Sequence, residues 1–227
     1  MPQPPERNLA DRVARRRDAA LAGHRGDAGA ARALLDDPDP IVRGTALAAL
    51  VRAGDAHAAD FHVAIADPAV AARRRTAELL GAWTGIVDDP VSLVPLLEDD
   101  EPTVVEMASW AAGEVLGRAT DAGLELPDPG SLDRLLVIAA DHPDALCREA
   151  AVAALGAIGD ERAVPVILAA TKDKATVRRR AVLALAPFEG DEVDAALEAA
   201  RTDRDWQVRQ AAEDLLADDL RTFDDDA

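Results

Sequence analysis

The sequence predicts an all-α fold, an α-solenoid of about six stacked helix pairs with terminal capping helices. Three observations carry this. First, one pattern recurs six times: an Asp-containing turn, an apolar anchor, usually Arg, then Ala or Thr four residues on and Ala or Leu at seven and eight. The anchors are Val42, Ala72, Val104, Cys147, Val177 and Val208, separated by 30, 32, 43, 30 and 31 residues. A fixed period of this size marks a repeat architecture, and one excess of 11 to 13 residues interrupts it. Second, apolar residues within each unit are spaced by three and four, which is helical periodicity. Third, polar-Pro pairs precede the anchors and Gly residues follow them, the start and stop signals of helices.

Taken along the chain, residues 8–26 fit the pattern poorly: Val13 and Leu21 match the anchor and Leu positions, Arg17 does not. They are read as an N-terminal capping helix. Repeats then span about 27–217. Their first helices are expected at 28–35, 56–65, 91–97, 132–140, 163–170 and 193–200. The second, anchor-bearing helices start at Asp39-Pro40, Asp67-Pro68, Glu101-Pro102 and His142-Pro143, where Pro at the first helical position loses no hydrogen bond. Gly54, Gly85, Gly117, Gly159 and Gly190 follow these helices and suit left-handed C-caps. The excess residues form an insertion loop near 118–130, and 218–227 is an acidic tail expected to fray. The chain is read as one domain, 1–227.

Composition narrows function by exclusion. Of 227 residues 51 are Ala, 49% are apolar and 3% aromatic, so the chain can build a core and is not an acidic disordered segment. No apolar run approaches the ~18 residues of a membrane span, and the first residues do not read as a secretory signal. A cytoplasmic location is expected. The net charge of −18 argues against nucleic acid and anionic membrane as partners. A cationic partner and a salt-rich cytoplasm both remain open as its cause.

The units resemble HEAT repeats, of the short prokaryotic kind related to the phycobilin lyases. That resemblance implies a ladder of hydrogen-bonded Asp and Arg residues through the turns. The candidates are Asp37, Arg43, Asp67, Arg73, Arg148, Arg178, Asp203 and Arg209; an Asp lies six residues before Arg43, Arg73 and Arg209. Repeat three breaks the ladder with Val105, and repeat four shifts the acid to Asp141. A bidentate Arg–carboxylate geometry would explain why Lys does not substitute.

At 100° per residue, offsets 0, +4, +7, +8 and +11 from each anchor face the core. Cys147 is thereby a small buried apolar residue, and Trp83 is core. The opposite face, offsets +2 and +6, is expected to line a concave groove that Gly81, Gly113 and Gly156 at +9 leave open. Its candidate binding residues are Arg74, Glu78, Glu106, Trp110, Glu149, Arg179 and Leu183. Trp110 among charges resembles a binding hot spot. Trp206 is expected to cover the open end of the stack.

The common catalytic and metal motifs are absent. His57 and His62, beside Asp55 and Asp60, are five residues apart and point away from each other on a helix. No cofactor, metal or catalytic residue is expected. The favoured function is a monomeric, non-enzymatic scaffold or adaptor that grips a partner-protein segment, basic by charge. A bilin or prosthetic-group lyase or chaperone is an alternative resting on the resemblance. An all-helical HEAT-like DNA glycosylase is a further one, with Trp110 and Glu106 as its loose match.

Overall fold

A computed structural model describes residues 5–87 and 89–225. Every regular element among them is helical, and no helix of the described residues is long and apolar enough to cross a membrane. The chain divides into two compact units, residues 1–91 and 92–227. The first contains α1 (Pro5–Arg25), α2 (Ala28–Arg32), α3 (Pro40–Ala53), α4 (Ala58–Ile65) and α5 (Val70–Ala82), followed by a 3-10 turn at Thr84–Val87. The second contains α6 (Val94–Leu97), α7 (Pro102–Asp121), α8 (Pro129–Asp141), α9 (Ala145–Ile158), α10 (Val164–Ala170), α11 (Ala175–Ala184), α12 (Asp191–Ala200) and α13 (Trp206–Asp225). Each unit is a stack of short first helices against longer anchor-bearing ones, the α-solenoid class.

Several boundaries differ from expectation, each for a local reason. Asp39 caps α3, its carboxylate accepting from the Ile41 N–H at 2.8 Å. Pro68 and Pro143, however, stand in the turns, because α5 and α9 start later, at Val70 and Ala145. The Asp67 carboxylate instead accepts from the Ala69 N–H at 2.8 Å. Gly54 and Gly159 are left-handed caps with φ of 72° and 69°. Gly117 is not, since α7 continues to Asp121 and the left-handed residue after it is Gly123. Residues 118–121 therefore extend α7, and 122–128 is loop. Asp128 secures that loop: its carboxylate accepts from the Leu93 N–H at 2.8 Å and the buried Ser131 hydroxyl at 2.5 Å. The backbone of α13 is helical to Asp225, where a tail was expected from 218. Asp226 and Ala227 lie outside the described residues.

The core is built from the anchor offsets. Val42, Ala46, Leu50, Val104, Ala108, Ala112, Cys147, Ala151 and Leu155 are all buried. Trp83 is core too, its ring centroid 4.6 Å from that of Phe61. Glycines at +9 do not open a groove; they let successive anchor helices touch. A Cβ on Gly113 would stand 2.9 Å from Ala154 Cα, and one on Gly156 would stand 2.7 Å from Ala184 Cα. The same contact fixes the register of α1, where a Cβ on Gly23 would lie 2.8 Å from Ala49 Cα. Counting back nine residues aligns Ala14, not Val13, with the anchors, and both residues are exposed. Trp206 is 65% exposed, so it does not cover the end of the stack.

That register places Arg15 at offset +1, and the ladder then begins one helix earlier than expected. Arg15 Nε donates to Asp37 at 2.6 Å. Arg43 donates through Nε and Nη2 to both Asp67 oxygens at 2.7 Å, and through Nη1 to the Asp37 carbonyl at 2.7 Å. Arg148 forks onto Asp173 at 2.6 and 2.8 Å and onto the His142 carbonyl at 2.6 Å. Arg178 forks onto Asp203 at 2.9 and 2.8 Å and onto the Asp173 carbonyl at 2.9 Å. Each such Arg thus binds its own turn by the carbonyl and the following repeat by the carboxylate. Arg73 and Arg209 make the same carbonyl bond, to Asp67 at 2.9 Å and Asp203 at 2.7 Å.

This direction explains the break. Repeat three has buried Val105 where the fork would be, and repeat four has His142, not Asp141, where its carboxylate partner would be. Without a guanidinium to neutralise, no carboxylate is required. The His142 ring keeps the turn's local bond, with Nδ1 accepting the Asp144 N–H at 3.1 Å.

Two outcomes follow from this packing. Asp173 and Asp203 are held below the ordinary carboxylate range, first by hydrogen bonds from Arg148 and Arg178, with burial opposing. A lowered folded-state value means that the stabilisation is complete above about pH 4 and is lost as pH falls through that lower value. The urea midpoint should therefore stay level from neutral pH to about pH 5 and drop below about pH 4. Asp173→Asn/Asp203→Asn should be less stable at pH 7 and lose less on acidification; parallel curves for variant and parent would contradict the ladder. Separately, Gly→Ala in an exposed helix typically stabilises by about 1 kcal/mol. Gly156→Ala should instead destabilise by about 1–3 kcal/mol, because the added methyl meets Ala184 backbone, and a raised Tm would refute the close approach.

Candidate functional site

Gly113 draws α7 and α9 together, and their outward residues form the walls of a groove of about 450 Å³. Glu106, Trp110 and Glu114 line it from α7, Leu146 and Glu149 from α9, and Arg180 reaches in from α11. Two large apolar side chains are open to solvent here: Trp110 is 43% exposed and Leu146 55%. Ala150, Ala153 and Ala154, all small, line it as well. Glu149 stands 3.7 Å from Arg180, and Glu114 is 3.6 Å from Arg118. The Glu106 carboxylate makes no hydrogen bond or ion pair among the described residues. The groove is thus a half-exposed aromatic flanked by an acidic excess.

Of the residues singled out from sequence, Glu106, Trp110 and Glu149 come together here. Arg74 and Glu78 come together too, but in a groove of the first unit. Arg179 is exposed on α11 and Leu183 half-buried, and neither lines the α7–α9 groove. The residue that does is Arg180, at offset +3. Its counterpart Arg75 behaves alike: a Cβ on Gly44 would stand 3.1 Å from Arg75 Cγ. Offset +3 therefore leans onto the +2 residue of the preceding anchor helix, Glu149 or Gly44. The Arg73–Arg75 and Arg178–Arg180 triplets carry that signal, since consecutive helical residues face different neighbours.

Groups able to do chemistry are engaged elsewhere. Asp55 and Asp60, the acids of the histidine cluster, are both held by Arg32, at 2.9 and 2.6 Å. Asp60 also accepts the His57 N–H at 3.0 Å, which caps α4. No group of three or more potential metal-ligating side chains occurs among the described residues. The single thiol, Cys147, is buried and donates to the Pro102 carbonyl at 3.2 Å.

Comparison with known proteins agrees with this architecture. A family model described as HEAT repeats matches residues 91–186 and, overlapping, 132–217, together more than half of the chain. The chain belongs to the HEAT-repeat family. Among solved structures, its HEAT repeats are similar to Escherichia coli YibA, with 19% identity and a TM-score of 0.58 over 80% of this chain and 67% of that one. An engineered protein matches with 19% identity and a TM-score of 0.61, over 84% of this chain and 95% of its own. A designed armadillo repeat protein in complex with the peptide (KR)4 matches with 16% identity and a TM-score of 0.60, over 82% and 97%. At these identities the likeness is one of fold. A comparison with curated proteins finds none that matches.

Cys147 sits at a HEAT anchor, and burial first, then the charges of Asp144 and Glu106, push its thiol up to about 11. The thiolate is the reactive form. A thiol reagent at pH 8 should label the native HEAT-repeat chain only at its unfolding rate, and immediate stoichiometric labelling would contradict the buried assignment.

Proposed function

We propose that this HEAT-repeat chain is a binding scaffold whose α7–α9 groove takes a basic segment of a partner protein. The observation that carries the reading is Trp110, 43% exposed beside Glu106, Glu114 and Glu149. An aromatic face and the unpaired Glu106 carboxylate together suit an Arg or Lys side chain, by cation–π attraction above the ring and charge pairing at its edge. Solenoid repeats offer such surfaces without any catalytic centre. The designed armadillo neighbour that binds (KR)4 supports a basic peptide as a ligand for this class of fold. The other functions weighed from the sequence gain no support from the site. A glycosylase groove would combine an aromatic, a carboxylate and surrounding cations. Here the exposed Trp stands among acids, and the one thiol that a lyase might use is buried.

Labelled (KR)4 titrated with the full chain, read by fluorescence anisotropy, tests this. Binding should weaken as salt rises. Trp110→Ala should weaken it by about 30-fold, the ~2 kcal/mol of a hot-spot aromatic. Glu106→Arg should weaken it as well, both variants keeping the parent circular dichroism. Affinity unchanged in both would refute the groove assignment.

A further inference from the structure

Net charge is divided unevenly along the chain. Residues 1–91 carry 12 Arg and 13 Asp plus Glu, a net −1, whereas residues 92–227 carry 13 Lys plus Arg and 30 Asp plus Glu, a net −17. Within the first unit, six of the twelve arginines are committed to structure. Arg12 pairs with Asp39, Arg15 with Asp37, Arg32 with Asp55 and Asp60, Arg43 with Asp67, and Arg75 with Glu78. Arg73 is tied to the Asp67 carbonyl. Arg16, Arg52 and Arg74 make no ion pair or hydrogen bond among the described residues, and all three are exposed.

These three side chains line one groove of about 530 Å³ across α1, α3 and α5, joined there by His24. Its only acid among the described residues is Glu78, which Arg75 already holds at 2.6 Å. The floor is Ala20, Gly44, Ala48 and Ala71, residues that fill little space. The groove therefore has three uncompensated guanidinium groups, one contributed by each of three neighbouring helices, above an open floor. A single small anion would satisfy one of them. A ligand with several negative charges spread along its length would satisfy all three, each by a planar fork suited to carboxylate.

We propose that this groove is a second binding site, taking a carboxylate-rich segment of a partner protein held by Arg16, Arg52 and Arg74. Nucleic acid fits less well. A duplex carries one negative charge per ~1.7 Å, and such a polyanion is repelled by the net −18 of the whole chain. A short acidic segment needs only the groove. Among its described lining residues the groove also has no Trp, Tyr or Phe for a base to stack on, and His24 is its one ring.

Fluorescein-labelled (Glu)8 titrated with the full chain at low salt decides the matter. The parent should bind it, more weakly as salt rises. Arg16→Glu/Arg52→Glu/Arg74→Glu should lose at least tenfold in affinity, and Arg74→Ala alone should lose several-fold. Trp110→Ala and the control Arg17→Glu/Arg25→Glu, at exposed arginines that do not line the groove, should each stay within twofold. No binding by the parent would overturn the proposal, as would equal loss in the control or in Trp110→Ala. Undiminished binding in both groove variants would overturn it too. A DNA duplex held more tightly than (Glu)8, and released by the triple substitution, would assign the groove to nucleic acid instead.

Discussion

The structure depends on one repeated interaction, the fork of an arginine that joins two consecutive turns. In Arg43, Arg148 and Arg178 one guanidinium nitrogen is used on the carbonyl of its own turn and two on the carboxylate of the next repeat. Arg178 is 5% exposed, so it is stable there only because all three nitrogens have partners. Ala-rich anchor helices bury little apolar area per residue. The ladder adds directional bonds where the core is thin.

How much of this was legible in the sequence varied by feature. The period, the helix pairs and the buried anchors follow from spacing alone, because a helix facing a core must repeat its apolar positions. The direction of the ladder did not. An Asp six residues before an Arg suggests a bond within one turn, whereas the carboxylate acts 24 or 25 residues after its Arg. Asp173 was missed because its turn is one residue shorter, five before Arg178. Val105 and His142 are the signal that could have given the direction, since loss of the Arg in one repeat accompanies loss of the Asp in the next. Register in α1 was a one-residue error, made because Val13 looked apolar and Gly23 was not recognised as the contact residue.

The candidate sites divide the same way. Trp110 stood out in sequence, because a Trp opposite a filled core face has to be exposed or covered by something else. The sorting of charge into two grooves was not visible, since it depends on which arginines find partners. Arg15 and Arg16 are adjacent in sequence, yet one is locked to Asp37 and the other open to solvent. The charge of −18 describes mainly the second unit, while the first has a cationic groove of its own.

A double-mutant cycle between Arg178 and Asp203 tests the central claim most directly, set beside the same cycle for Arg209 and Asp203. If the fork runs from one repeat to the next, Arg178→Met and Asp203→Ala should couple by about 2 kcal/mol in urea unfolding. Arg209→Met and Asp203→Ala should then be additive to within about 0.5 kcal/mol, because among the described residues Arg209 bonds only the carbonyl of Asp203. Strong coupling for Arg209 and none for Arg178 would contradict the account.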